Sequence, residues 1–550
     1  MRHSLPHSMQ PDIVFRSRRS PVIGRGGMVA ASQPLAVTAG LQILMQGGNA
    51  ADAAIATAAA LNVTEPASTG LGGDCFALYY EAGSRQVYAL NGSGRAPAAL
   101  TLERLRREGL DGGLPTYHPY TVTVPGACAG WCDLISRFGT LSLAAILAPA
   151  IELAEAGFPV APLTAAYWER GVQLQLSQAP GGVELTIAGR APHPGEIFRN
   201  PGLGRTLRRI ADGGAEAFYQ GEIAAAIARQ VQTAGGCLEE ADLAAHTSTW
   251  EMPISVDYRG WRVWECPPNG QGLAALLALN ILEGFDLGAQ SPLSAERYHL
   301  MIEAMHLGFA DAGWYVADPV FSPAPIAELL SKNYAAERRK LIDPCRASLE
   351  LKHGTPLSSS DTVYFSVVDG SGNACSFINS NYMGFGTGIV PPGWGFAIQN
   401  RGHNFSLQPG HPNVLAPGKR PYHTIIPAMV TDSLSGDLIA AYGVMGGFMQ
   451  PQGHVQVLVG LVDDGLDPQA ALDRLRFCIQ DGPGGGQIAL EEGLPASLYM
   501  ELEAMGHPVN AVSGLRRSSF GRGQVILREA QTGVLWAGSD PRADGCAMGY

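Results

Sequence analysis

The sequence predicts a protein of stacked sheets and helices, and three observations carry that prediction. Gly (69) and Pro (38) together make close to a fifth of the 550 residues, which demands many tight turns. Hydrophobic residues are 46% and charged residues 16%, so the chain can bury a large core and is not a mostly disordered one. Strand-like segments lie towards both ends, while helical periodicity fills the middle. Length alone suggests about two to four domains of ordinary size.

The elements follow in order. Residues 1–24 are polar, with Pro6, Pro11 and Pro21, and read as a tail. They contain no apolar core of an export signal. Residues 36–61 are rich in Ala and read as helix, interrupted at Gly47 and Gly48, with Asn49 able to cap the second part. STGLGGD (68–74) is a glycine-rich turn before the strand-like FALYYEA, and VYALNGSGRAP (87–97) is a second strand ending in a turn. From about 141 to 341, apolar residues recur at three- and four-residue spacing, as in LAAILAPAIELAEAG and AERYHLMIEAMHLGFADAGWYV. Residues 343–361 are polar and rich in breakers, and read as an exposed linker. From Thr362 the pattern turns to strand: TVYFSVVD, a GSG turn, then NACSFINS. HTIIPAMVTD and LIAAYGVMGG continue it, a helical stretch follows, and the chain ends strand-like again.

Several function classes are disfavoured. The net charge of −12, with no Lys/Arg run beyond the Arg16–Arg25 tail, argues against nucleic acid as partner. No apolar run reaches the ~20 residues of a membrane span. We therefore expect a cytoplasmic protein. The nine cysteines form no CxxC pair and read as buried thiols. There is no phosphate loop and no HExxH. GFGTG (384–388) reads as a turn, and His403, His411 and His423 lack zinc-type spacing. No cofactor or metal is expected.

The segment with chemical content is the hairpin around Asp369–Asn373. A three-residue loop with glycine is a common hairpin connection. If Asp369 faces Asn373, Thr362 falls opposite Ser380. A threonine hydroxyl is a poor nucleophile unless a base takes its proton, and its own α-amine, when free, has a pKa of about 7.7–8.0. Position 362 has a free amine only if the chain is cut between Asp361 and Thr362. The hydroxyl itself can begin that cut by attacking the preceding carbonyl, leaving an ester that water opens. On spacing alone, the ordinary reading of Thr362 is a structural residue that opens a strand.

TVYFSVVDGSGNACSFINSNYMGFGTGI (362–389) resembles the small-subunit start of the γ-glutamyltransferase family. GKRPYHTIIPAMV (418–430), YGVMGG (442–447), SDPRADGCAMGY (539–550), the glycine- and alanine-rich block at 26–74 and EAMHLGFADAGWYVADP (303–319) are similar to further family blocks, in the family's order. The resemblance implies an α+β fold, the four-layer αββα sandwich of the N-terminal-nucleophile hydrolases. It also implies a precursor cut into a large subunit (1–361, with 343–361 the flexible linker) and a small subunit (362–550). Thr362 would be nucleophile and base. Ser380 would hold the nucleophile's hydroxyl where the family has threonine. The N–H groups of Gly446 and Gly447 would form the oxyanion hole, although a simple turn is the plain reading of this pair.

The chain departs from the family at the groups that hold the γ-glutamyl moiety. The carboxylate-binding arginine is replaced by Ser93, with Arg95 two residues away. The amine-binding positions carry Tyr382, Arg401 and Asn404, and the paired serines are His423 and Thr424. A neutral Asn404 and a cationic Arg401 would repel an ammonium group and suit a carboxylate. This resembles the amidase and acylase branch, including oxamate amidohydrolase and cephalosporin acylases. The expected partner is therefore a small amide bearing an anion, such as oxamate or a glutaryl amide. Arg95, Arg401 and His423 are alternatively structural, with Arg401 facing solvent. Two other functions compete: a γ-glutamyltransferase or glutathione hydrolase that reads its substrate differently, and an uncleaved, non-catalytic family member.

Overall fold

The structure, a computed structural model, describes residues 19–110, 112–348, 362–480 and 486–550. Two seven-stranded sheets form its centre, and every pairing within them is antiparallel. Sheet I runs, in spatial order, Val22–Gly24, Leu535–Ser539, Arg522–Arg528, Leu438–Met445, Ala428–Asp432, Trp261–Glu265 and Ile254–Tyr258. Sheet II runs Cys546–Gly549, Gly27–Ala31, Val363–Asp369, Ala374–Ser380, Asp74–Glu81, Gln86–Gly92 and Thr249–Glu251.

The two sheets pack face to face, with a helical layer outside each. Pro34–Met45 and Ala50–Thr64 cover sheet II, and Gly272–Leu282, Met449–Val462 and Pro468–Asp473 cover sheet I. This is the expected αββα layering. It explains why Val363–Asp369 is apolar without alternation: all seven residues are buried, because the strand has a sheet on one face and a helix on the other. Between the sheets, the Tyr364 hydroxyl lies 2.7 Å from both Ser366 Oγ and Ser376 Oγ, so the aromatic body is buried with its polar tip paired. A Cβ at Gly443 of sheet I would stand 2.5 Å from the Tyr364 ring, so glycine is what lets the sheets close there.

The Ala50–Thr64 helix is buried along its whole length. Its alanines allow that close approach, and Asn49 caps it as expected, accepting from the N–H groups of Ala51 and Asp52. The hairpin register is also as read from the sequence: Val363 faces Asn379 and Val368 faces Ala374. Asp369 fixes the turn by accepting from the N–H groups of Ser371 and Asn373.

Two features depart from the sequence reading. The helical middle contains three strands between Thr249 and Glu265, which extend both sheets. A small third sheet, Phe477–Ile479, Ile488–Glu491 and Val509–Val512, and a helix, Ala496–Ala504, were not anticipated. Of the expected linker, 343–348 is described; Asp361 and the rest of the segment lie outside the described residues. Strands from before residue 349 and from 362 onward interleave in both sheets, so the two parts share one fold. No helix among the described residues is long and apolar enough to cross a membrane.

Candidate active site

Thr362 sits at the entry of the Val363–Asp369 strand and is fully buried. Its Oγ1 lies 3.1 Å from Ser380 Oγ, across the hairpin from it. Ser380 Oγ also accepts from the Tyr382 backbone N–H at 2.8 Å and from Arg401 Nη2 at 3.2 Å. Two donors thus converge on the Ser380 oxygen beside Thr362. The Thr362 carbonyl is held by Arg522 Nη2 at 3.4 Å, and Arg522 pairs with Glu65 at 3.2 Å.

Arg401 is the central cation of this site. It is fully buried, not solvent-facing, and burial lowers its pKa to about 10, so it remains charged at neutral pH. Nη1 donates to Thr424 Oγ1 at 2.7 Å, the guanidinium lies 4.3 Å from the centre of the Tyr382 ring, and Nε is buried with no hydrogen-bond partner among the described residues. Tyr382 itself has φ +81°, a left-handed conformation that costs a bulky residue on the order of 1–3 kcal/mol. Its hydroxyl donates to Asn404 Oδ1 at 2.5 Å, and Asn404 Nδ2 donates to the Tyr422 carbonyl at 3.1 Å. Asn404 is therefore committed within the protein and is no acidic acceptor for an ammonium.

His423 and Arg95 are placed differently from Arg401. His423 is buried against Phe76. Its Nε2 lies 3.0 Å from Asp74 Oδ2, while its Nδ1 accepts from the Ile425 N–H at 3.4 Å. Burial, then the field of Arg401, pushes its pKa down to about 3, so the ring is neutral and Nε2 carries the proton donated to Asp74. Both ring nitrogens are thus used internally. Arg95 is half-buried and donates to the Thr247 carbonyl at 3.2 Å.

Two charged residues were missed by the sequence reading. Asp74, opposite Ser380 in sheet II, accepts from Gly94 N–H, Gly126 N–H, Gln399 Nε2 and His423, and so gathers four segments beside Ser380. Arg420 is buried with its Nε 3.1 Å from the Ser93 carbonyl, which brings a second cation to the position where the family's arginine is absent. The signal available was GKRP itself; nothing in the sequence distinguished a buried arginine there from an exposed one.

Gly446 and Gly447 follow the last strand residue Met445, which pairs with Arg522. Their φ values are +132° and +61°, and a Cβ at Gly446 would lie 3.3 Å from Gly521 Cα. Only glycine takes this path without strain. Gln271 Nε2 donates to both the Gly447 carbonyl (2.8 Å) and the Thr424 carbonyl (2.7 Å), tying the turn to the segment that holds Arg401.

Comparison with known proteins gives a consistent result. The family model described as gamma-glutamyltranspeptidase matches residues 36–550. The glutathione hydrolase-like YwrD proenzyme of Bacillus subtilis is 36% identical, covering 96% of this chain and 99% of the relative. The oxamate amidohydrolase proenzyme of Klebsiella pneumoniae is 34% identical, covering 95% and 98%. The crystal structure of a cephalosporin acylase from Bacillus halodurans superposes with a TM-score of 0.91 at 48% identity, covering 99% of both chains.

Proposed function

We propose, from the premise that this chain belongs to the gamma-glutamyltranspeptidase family, that it is a self-processing amide hydrolase acting on a small acyl group that carries an anion. Members of this family are hydrolases and acyltransferases named as proenzymes. The finer reading is that cleavage after Asp361 frees the Thr362 α-amine. That amine then takes the proton of Thr362 Oγ1 as the oxygen attacks the substrate carbonyl. Ser380 donates to the attacking oxygen, and the Gly446–Gly447 turn supplies N–H groups for the oxyanion. The α-ammonium then passes that proton to the nitrogen of the substrate amide, which leaves as the free amine, and water hydrolyses the acyl-threonine ester.

The observation that carries the substrate class is Arg401. A buried cation stands one hydroxyl away from Thr362, with Nε unsatisfied among the described residues. An acyl carboxylate would engage that Nε, whereas an α-ammonium would meet a like charge with no acidic partner at Asn404. Oxamate and glutaryl amides fit this requirement. Thr424 acts in the same reading by orienting the guanidinium, and Tyr382 by covering its face. Arg95 and His423 serve as outer groups of the pocket, His423 by fixing Asp74. Cytoplasmic location belongs to the same proposal and is tested by cell fractionation.

A second reading is favoured by one finding: the 36% identical Bacillus subtilis relative is named glutathione hydrolase-like. N-terminal sequencing of purified protein, followed by assay on oxamate, a glutaryl anilide, a γ-glutamyl anilide and glutathione, tests both. The proposal expects a chain beginning Thr-Val-Tyr-Phe and preference for the amine-free acids. Faster turnover of the γ-glutamyl compounds would transfer the assignment to the second reading. A single uncut chain, inactive on the panel, would favour the non-catalytic one.

A further inference from the structure

We propose that His299, Glu303 and His507 form a divalent transition-metal site of the zinc class, remote in sequence from the catalytic residues. His299 and Glu303 are four residues apart on the buried side of the Ala295–Tyr315 helix, so both project from one face. His507 comes from the turn after the Ala496–Ala504 helix. One ligand atom from each of the three lies within 4.8 Å of the others, and all three residues are buried.

The hydrogen bonds already set the ligand atoms. His299 Nε2 lies 2.7 Å from the Asp343 carbonyl, which can only accept, so Nε2 carries the proton and Nδ1 presents a lone pair to the cluster. A backbone carbonyl holding the far nitrogen is the usual outer-shell support of a metal-bound histidine. His299 Nδ1 in turn lies 2.8 Å from His507 Nε2. Two nitrogens bound to one tetrahedral zinc at about 2.05 Å stand about 3.3 Å apart, so an opening of about half an ångström admits the ion. His507 then moves its proton from Nε2 to Nδ1 and gives Nε2 to the metal, with no net charge change on the ring.

Glu303 supplies the observation that points to a cation rather than to a hydrogen-bonded cluster alone. It is 1% exposed. Among the described residues, its carboxylate is hydrogen-bonded from Ser348, whose N–H is shared between the two oxygens at 3.3 and 3.2 Å and whose hydroxyl also donates to it. A buried carboxylate held by neutral donors of one residue still carries its desolvation cost, which a positive charge beside it offsets. A divalent ion held by two neutral imidazoles and this carboxylate supplies that charge, with water in the fourth position.

Asp343 and Ser348, which support the two helix ligands, belong to the segment leading towards Thr362. The Ala347 N–H in that segment donates to the Met505 carbonyl at 2.7 Å, two residues before His507. A bound ion would join helix, segment and turn at one point.

The test uses the full chain, stripped with a chelator and then equilibrated with Zn2+ or Co2+. We expect about one equivalent of metal per chain, a Co2+ visible spectrum of the tetrahedral type, and a thermal midpoint that rises on adding Zn2+. Glu303→Gln and His507→Ala should each weaken retention at least about tenfold, and neither midpoint should then respond to Zn2+. Circular dichroism matching the parent establishes that each variant is folded, and His299→Gln serves in place of one that is not. Metal content no higher than in the variants, or variants that bind as the parent does, would overturn the assignment.

Discussion

In the proposed reading, Arg401 is the one side chain that sets the substrate class. Its charge survives burial because Tyr382, Thr424 and Ser380 surround it with electron-rich partners, and because the field of Asp74 opposes the cost of desolvation. Arg401→Gln removes the charge but keeps a polar group. We expect kcat/KM on an anionic amide to fall about ten- to a hundredfold, the value of a charge-assisted hydrogen bond, with an uncharged acyl analogue affected less. Arg401→Lys should not restore activity, since an ammonium cannot reach Thr424 and Ser380 together. The pH profile gives an independent check. In the proposed reading the α-amine of Thr362 acts when deprotonated, so activity is expected to rise through about pH 7.7–8.0. The Arg401 cation is present below its pKa of about 10, so activity on the anionic substrate falls as pH rises through that value. His423, held down to about 3, stays neutral throughout this range and adds no limb. In Arg401→Gln the upper limb should vanish; its persistence would assign that limb to another group. Ser380→Ala should reduce kcat by about a hundredfold while leaving KM nearly unchanged, because the hydroxyl contacts Thr362 Oγ1, the proposed nucleophile, rather than the acyl anion. A change confined to KM would contradict that role.

At the level of elements, the hairpin was readable because its turn chemistry is local. Asp369 and Gly372 fix where the chain reverses, and the pairing of Thr362 with Ser380 follows by counting. The Asn49 cap was legible for the same reason. What escaped was non-local. The strands between Thr249 and Glu265 are three to five residues long and owe their state to the sheet edges they complete, so the surrounding helical periodicity concealed them. Asp74 and Arg420 look like ordinary surface charges in sequence; only the fold surrounds them with partners from distant segments. Asp369 joins the two levels. Besides holding its turn, its Oδ2 accepts from the Ala50 N–H at 3.0 Å, at the start of the buried Ala50–Thr64 helix. Asp369→Ala leaves that N–H buried and releases the turn. We expect a loss of about 2–4 kcal/mol, read from urea unfolding, and a lower kcat because Ser380 is no longer held opposite Thr362. Asp369→Asn, which keeps an acceptor, should lose less than half as much. Equal losses in the two variants would show that the carboxylate's charge, rather than its acceptor geometry, holds the junction.

The whole molecule constrains what cutting the chain can do. Sheet II alternates between the two pieces: Gly27–Ala31 pairs with Val363–Asp369, and Ala374–Ser380 pairs with Asp74–Glu81. In sheet I, Trp261–Glu265 pairs with Ala428–Asp432, and Val22–Gly24 pairs with Leu535–Ser539. Separating a large piece ending at Asp361 from a small one beginning at Thr362 would break five ladders, since Cys546–Gly549 also pairs with Gly27–Ala31, and would strip the Ala50–Thr64 helix from one face of the fully buried Val363–Asp369 strand. Neither piece retains either seven-stranded sheet complete. Cleavage should therefore change almost nothing in the fold except the freedom of the new chain ends. Cut protein is expected to elute in gel filtration as one species holding both pieces, and to lose them from each other only in denaturant. The Thr362→Ala chain should stay whole and inactive yet show an unfolding midpoint close to that of the cut enzyme, since the same strands pair in both. Pieces that part in non-denaturing buffer, or a precursor far less stable than its product, would mean that cutting rebuilds the sandwich instead of releasing one amine within it.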